Sequence, residues 1–269
     1  MMLTILPRSK TRSGAAYHEC GSGEPLILLH GVGLRAEVWQ PQLDALSDRW
    51  RIYAVDLPGH GQSKPLSKSA DLEDYVSWLE QFIRDLKLGP ANIAGHSLGA
   101  LIALGVTVSA PTLVRRVALL NAVHRRSRQA SLDIADRARQ ISSGRINHEE
   151  PLKRWFTSLP KENAARKLTA SLLSSVDPRG YATAYSAFAR GDSIYADRLS
   201  EISCPALFLT GEDDPNSTPE MTRFMASCVV DSVCVVVAGH RHMLGLTAPV
   251  VVNEALVSWL ERKRQDDTE

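Results

Sequence analysis

The sequence predicts an α/β fold: a mostly parallel sheet with helices on both faces and a helical cap inserted over the sheet's carboxyl edge. Three observations carry this reading. Short, wholly apolar runs of strand length alternate with segments of helical period. Glycine-rich turns follow several of those runs. One long stretch, about 122–200, breaks the alternation with helix formers and Pro151, Pro160 and Pro178.

Leu26 to Leu29 is an apolar run after Gly23-Glu24-Pro25, the pattern of a strand buried on both faces, and it ends at His30-Gly31-Val32-Gly33. Val38 to Leu46 carries apolar groups at helical spacing, and Arg51 to Asp56 returns to β-type residues before the turn Leu57-Pro58-Gly59-His60-Gly61. Leu72, Val76, Leu79, Ile83 and Leu86 mark one face of a helix that Gly89-Pro90 terminates. Asn92-Ile93-Ala94 begins the next strand, and Leu98 to Val108 reads as a helix poor in charge. Val114 to Leu120, Ala206 to Leu209 and Val233 to Val237 are further strands, before a final amphipathic helix from about Val250 to Arg262. The division that follows is a core of residues 1–121 and 201–269 with a cap of residues 122–200.

A formal net charge of +1 over 269 residues removes the usual electrostatic argument for a nucleic-acid partner. No apolar stretch approaches the roughly 18 residues of a membrane span, and Met1 to Lys10 lacks a signal-peptide core, so a soluble, cytoplasmic protein without a membrane partner is expected. Cys20, Cys204, Cys228 and Cys234 form no C-x-x-C pair, which argues for reduced thiols and against a metal site. The cap segment is different in charge: it holds 14 Lys and Arg against 8 Asp and Glu, a local excess of six. Solvated helix faces account for most charge of this kind; the functional reading is a cap that attracts an anionic small-molecule substrate or an acidic carrier protein. Trp155, Phe156, Tyr181 and Tyr185 in the cap are read as core packing rather than as pocket lining. Oligomeric state is not legible.

Gly95-His96-Ser97-Leu98-Gly99 follows a short strand and opens a helix. A nucleophile raised on a sharp strand-to-helix turn needs small neighbours two residues away on each side, and the helix start favours developing negative charge. A serine hydroxyl also needs a base oriented by a carboxylate. Gly211-Glu212-Asp213-Asp214-Pro215 and Gly239-His240-Arg241-His242 each follow a strand, in the chain order Ser, acid, His. Spacing alone leaves Asp213 or Asp214 as the acid and His240 or His242 as the base. The backbone N–H groups of Leu98 and Val32 are placed to bind the oxyanion.

These blocks together resemble the α/β-hydrolase superfamily over nearly the whole chain outside the cap, and the resemblance implies that the mostly parallel sheet has eight strands. The oxyanion-loop motif matches His30-Gly31-Val32-Gly33 with Trp39 following, the next turn matches Asp56 to Ser63, and the nucleophile elbow matches Gly95 to Gly99. The resemblance implies that the acid closes a Gly-x-x-Asp motif, which selects Asp214, and that the base follows glycine directly, which selects His240. Some members carry the acid after the preceding strand, where this chain has Asn121. The amino-terminal third is similar to carboxylesterases acting on carrier-bound acyl chains and to 3-oxoadipate enol-lactonases. The expected activity is hydrolysis of a small ester or lactone through Ser97, His240 and Asp214, with no cofactor or metal required. The alternatives are amide or carbon–carbon cleavage of an anionic ring-opening product by the same groups, and a non-enzymatic ligand receptor.

Overall fold

Leu26, Ile27, Leu28 and Leu29 are each 0% exposed, and the strand they form is paired on both edges, which places it at the centre of one sheet. The computed structural model describes residues 5–263; the chain ends at 1–4 and 264–269, including Gln265 to Glu269, lie outside the described residues. The strands are β1 (Ser9–Lys10), β2 (Ala16–Cys20), β3 (Pro25–Leu29), β4 (Arg51–Val55), β5 (Ala91–His96), β6 (Val114–Leu120), β7 (Ala206–Gly211) and β8 (Ser232–Val237). Their order in the sheet is β1-β2-β4-β3-β5-β6-β7-β8. β1 and β2 run antiparallel to their neighbours, and all later pairings are parallel.

The helices are α1 (Gln40–Leu46), α2 (Leu72–Asp85), α3 (Leu98–Ser109), α4 (Arg128–Ser142), α5 (Glu149–Trp155), α6 (Asn163–Ser175), α7 (Pro178–Gly191), α8 (Pro219–Ser227), α9 (Leu244–Thr247) and α10 (Pro249–Leu260). α2 packs on α3 and α1 packs on α10, and the helices cover both faces of the sheet. α2 starts where it does because Asp71 and Asp74 cap each other's backbone N–H groups at 3.1 and 3.0 Å. From α4 to α7 the chain between β6 and β7 is helical, with no strand among the described residues. Among the described residues, no helix is long and apolar enough to cross a membrane.

Two loops at the carboxyl edge are tied to each other by histidines. The Leu57 N–H donates to His30 Nε2, and the Gly33 N–H donates to His60 Nε2, both at 2.9 Å. Each Nε2 is therefore an acceptor, so each ring is neutral and carries its proton on Nδ1, which donates to Gly31 O (2.7 Å) and Pro58 O (3.1 Å) respectively. Burial pushes His30 down to about 3 and His60 down to about 4. A buried ion network anchors the same region: Arg8 grips Asp56 through Nε (2.9 Å) and Nη2 (3.1 Å), and reaches Glu37 through Nη2 at 2.7 Å. Asp56 also accepts the N–H groups of Ala36 and Gln62, so although its burial acts to raise its pKa, these donors and Arg8 hold it below the usual carboxylate range.

His96, on β5, is a third buried histidine, again pushed down to about 3 chiefly by burial. Because these three groups bind protons more weakly folded than unfolded, the stability they confer is complete above pH 6.5 and drains away as pH falls toward 4 and 3. Urea unfolding is expected to show a loss on the order of 5 kcal/mol between pH 7 and pH 5, at about 1.4 kcal/mol per pH unit per histidine. A flat profile over that window would show that these rings take up protons in the fold as readily as in the unfolded chain.

Candidate active site

Ser97 sits between β5 and α3 with φ 57° and ψ −114°, a conformation that side-chain-bearing residues avoid. The turn is possible because its neighbours are glycines. A Cβ on Gly95 would lie 2.1 Å from the Gly99 carbonyl oxygen, and one on Gly99 would lie 2.3 Å from the Leu29 carbonyl oxygen. The Ser97 N–H donates to Leu120 O at 2.9 Å, which ties the elbow to the end of β6. The loop after β3 crosses directly over it: a Cβ on Gly31 would come 3.1 Å from Ser97 Cβ and 3.0 Å from His96 Nδ1. Leu98 is the first residue of α3, so its N–H has no partner within the helix, and Val32 lines the same cavity as Ser97.

Of the two adjacent aspartates after β7, Asp213 is exposed and Asp214 is 2% exposed. Asp214 Oδ2 accepts from His242 Nδ1 at 2.7 Å and from Asn121 Nδ2 at 2.8 Å, while Oδ1 accepts the Asn216 N–H at 2.8 Å. Burial by itself would raise this carboxyl, but His242 and the two amide donors outweigh it and hold Asp214 below the usual range.

The expectation that His240 is the imidazole beside Asp214 is corrected by the structure, which pairs His242 with that carboxylate. His240 is half-buried and its Nδ1 meets Thr247 Oγ1 at 3.0 Å, whereas His242, 2% exposed, is the imidazole on Asp214. The physical reason is that the backbone at 240 is committed to holding the acid loop. Its carbonyl accepts the Asp213 N–H at 3.0 Å, and it packs so closely on Gly211 that a Cβ there would lie 2.2 Å away. Asn121 takes no acid position; it supplies a hydrogen bond to Asp214.

His242 is walled on two sides. His96 lies against it with ring centroids 4.8 Å apart and donates Nε2–H to the His242 carbonyl at 2.9 Å. Trp155, the last residue of α5, stacks on it at 5.5 Å and 29°. Arg241 fastens that contact, since its Nη1 donates to the carbonyls of Lys153 and Phe156 at the end of α5, both at 3.0 Å.

Ser97 and His242 open into a cavity of about 730 Å³, its mouth included. Trp155, Tyr181 and Tyr185 line it, so three of the four aromatics expected to serve core packing alone also face the cavity, joined there by Phe188, while Phe156 is buried away from it. Among the described residues, Arg137, Arg145, Arg154 and one carboxylate, Glu150, complete the charged part of the wall. Sequence reasoning found the positive excess of this segment but not these positions, because the rotation of each helix about its axis has no signature in the local pattern.

A family model described as the alpha/beta hydrolase family matches residues 26–255. The chain belongs to the alpha/beta hydrolase family. This hydrolase is 47% identical over 261 residues to the (E)-2-((N-methylformamido)methylene)succinate hydrolase of Acinetobacter baylyi, covering 97% of this chain and 99% of that protein. It is 26% identical to the 2-(acetamidomethylene)succinate hydrolase of Mesorhizobium japonicum, over 90% of each chain. Among solved structures, a thermophilic esterase from Thermogutta terrifontis with malate bound superposes with a TM-score of 0.86 at 25% identity, over 94% of this chain and 98% of that one. The enol-lactonase from Burkholderia xenovorans LB400 shares the fold, with a TM-score of 0.84 at 23% identity over 95% and 100%. The chain is thus an enzyme, a hydrolase, and the receptor alternative is set aside.

A short buried Nδ1–H···carboxylate bond moves its proton strongly downfield in the NMR spectrum. That signal is expected to persist in His240→Gln and to vanish in His242→Gln and Asp214→Asn; its loss in His240→Gln alone would reverse the pairing described above.

Proposed function

We propose that this alpha/beta hydrolase cleaves the amide bond of an N-acylated aminomethylene dicarboxylate, the substrate type for which its 47%-identical relative is named, using Ser97, His242 and Asp214. The observation that carries the proposal is the wall of the cavity holding Ser97 and His242: three arginines against one glutamate, two positive charges in excess. A substrate with two carboxylates matches that excess, and guanidinium groups suit carboxylates geometrically as well as by charge. Residues 122–200 act in this reading as the cap that supplies the charge and the aromatic wall.

Ser97 Oγ attacks the acyl carbonyl while His242 takes its proton, and Asp214 steadies the imidazolium through Nδ1–H. The oxyanion is received by the N–H groups of Val32 and Leu98. The imidazolium then protonates the departing nitrogen. That nitrogen is a good leaving group for an amide, because its lone pair is also delocalised into the adjacent carbon–carbon double bond. Water, activated by His242, hydrolyses the acyl-enzyme. The chemistry needs no group beyond these side chains and the backbone.

Ester or lactone cleavage uses the same machinery, and the malate-bound esterase supports a dicarboxylate on this fold. The amide reading ranks first because the two methylenesuccinate hydrolases described above are named for amido substrates. Turnover of (E)-2-((N-methylformamido)methylene)succinate, measured beside its neutral dimethyl ester and a neutral aryl ester, separates the two. The dicarboxylate is expected to have the higher kcat/KM by at least about a hundredfold, with KM rising between 0.05 and 0.5 M salt. Ser97→Ala and His242→Gln are each expected to lower kcat on the order of 10⁴-fold, and His240→Gln to leave it within a few-fold. Equal kcat/KM for the charged and neutral compounds would overturn the dicarboxylate assignment.

A further inference from the structure

Within the cavity wall one glutamate already occupies the arginines. Glu150 Oε1 lies 2.7 Å from Arg137 Nη2 and 2.6 Å from Arg154 Nη1, so a single oxygen bridges two guanidinium groups brought in from α4 and α5. Arg137 is steadied from a third helix by the Tyr185 hydroxyl, 3.2 Å from Nη1. Arg154 keeps a buried Nε–H with no partner among the described residues. All four side chains line the cavity that contains Ser97.

We propose that Glu150 is an internal competitor for the substrate's carboxylate: it fills the Arg137–Arg154 pair when the cavity is empty and must yield that pair when an anion enters. The proposal rests on the dicarboxylate reading above and adds a residue that sets affinity and release. Two guanidinium groups this close repel each other unless an anion lies between them, so Glu150 keeps them poised without a ligand. The same carboxylate opposes an entering anion, both by holding the donors and by direct repulsion. The site is partly open to solvent, with Glu150 41% and the two arginines 25% and 24% exposed, so the opposition is moderate rather than prohibitive.

A purely structural brace predicts the opposite sign. If Glu150 only holds the arginines in place, its removal lets them part and weakens anion binding; if it competes, its removal strengthens binding.

Titration calorimetry of the full chain with succinate, and with butyrate as a monoanion, distinguishes these. Glu150→Gln is expected to bind succinate about five- to tenfold more tightly than wild type, with a smaller gain for butyrate because repulsion scales with ligand charge. Arg154→Met is expected to bind succinate more weakly than wild type. Glu150→Ala serves as a second variant if the glutamine form folds poorly, with the same tightening expected. Unchanged or weaker succinate binding in a folded Glu150 variant overturns the competitor role and leaves the dicarboxylate reading standing. Absence of succinate binding in wild type, with butyrate equally silent, overturns both.

Discussion

The structure depends on keeping Ser97 in a backbone conformation that costs on the order of 1–3 kcal/mol. What prevents relaxation is the packing on every side of the elbow. β5 is gripped between β3 and β6, and the Ser97 N–H is bonded to Leu120 O. α3 has no polar face to offer solvent: residues from Leu98 to Val108 are all buried. Straightening the turn would require α3 to tilt and expose apolar surface, a cost of about 25 cal/mol for each square ångström uncovered. The glycines at 95 and 99 are thus the reason the strained form is accessible, and the buried helix is the reason it persists.

Around that turn the charge is managed by keeping most histidines neutral. His30 and His60 use their rings as acceptors for backbone N–H groups, and His96 uses its Nε2–H on the carbonyl of His242. Each is buried and fixed in one tautomer by its hydrogen bonds. His242 alone among them is paired with a carboxylate. Asn121 belongs to the same arrangement. A carboxylate at that position would face Asp214 across a 2.8 Å contact as a like charge, whereas the amide donates a hydrogen bond and supports the ionised form.

How much of this was legible in the sequence follows from what each signal depends on. Parallel strands show themselves as runs of apolar and β-branched residues, and the six such runs all lie in the sheet, five of them largely buried and β8, at its edge, partly uncovered. β1 and β2 were not located, because an antiparallel pair at a sheet edge keeps residues such as His18, Glu19 and Cys20 partly exposed and shows no apolar run. The elbow was legible because its chemistry is local: two glycines, a serine and a strand-to-helix switch lie within five residues. The histidine was not. His240 and His242 sit two residues apart on one loop, and the choice turns on contacts from Thr247, Gly211 and Asp213, which only the tertiary fold brings to position 240.

The basic excess of the inserted helices shows why a composition signal needs placement before it means anything. Much of that charge is spent on the surface, as in the pairs Arg139 with Asp136, Arg166 with Glu149 and Arg198 with Glu201. Pairs of that kind contribute little to stability and are screened beyond about 10 Å at ordinary salt, so they exert little field at Ser97. Arg137, Arg145 and Arg154 differ only in facing inward, over the aromatic wall of the cavity. α5 carries Arg154 and Glu150 along with Trp155, and Arg241 clamps its carboxyl end to the loop that bears His242. Glu150, Arg154 and Trp155 are therefore tied through the end of α5 to the loop that bears His242. For the reaction proposed above, such a tie holds charge and imidazole in a fixed relation, which is what preorganised electrostatics requires.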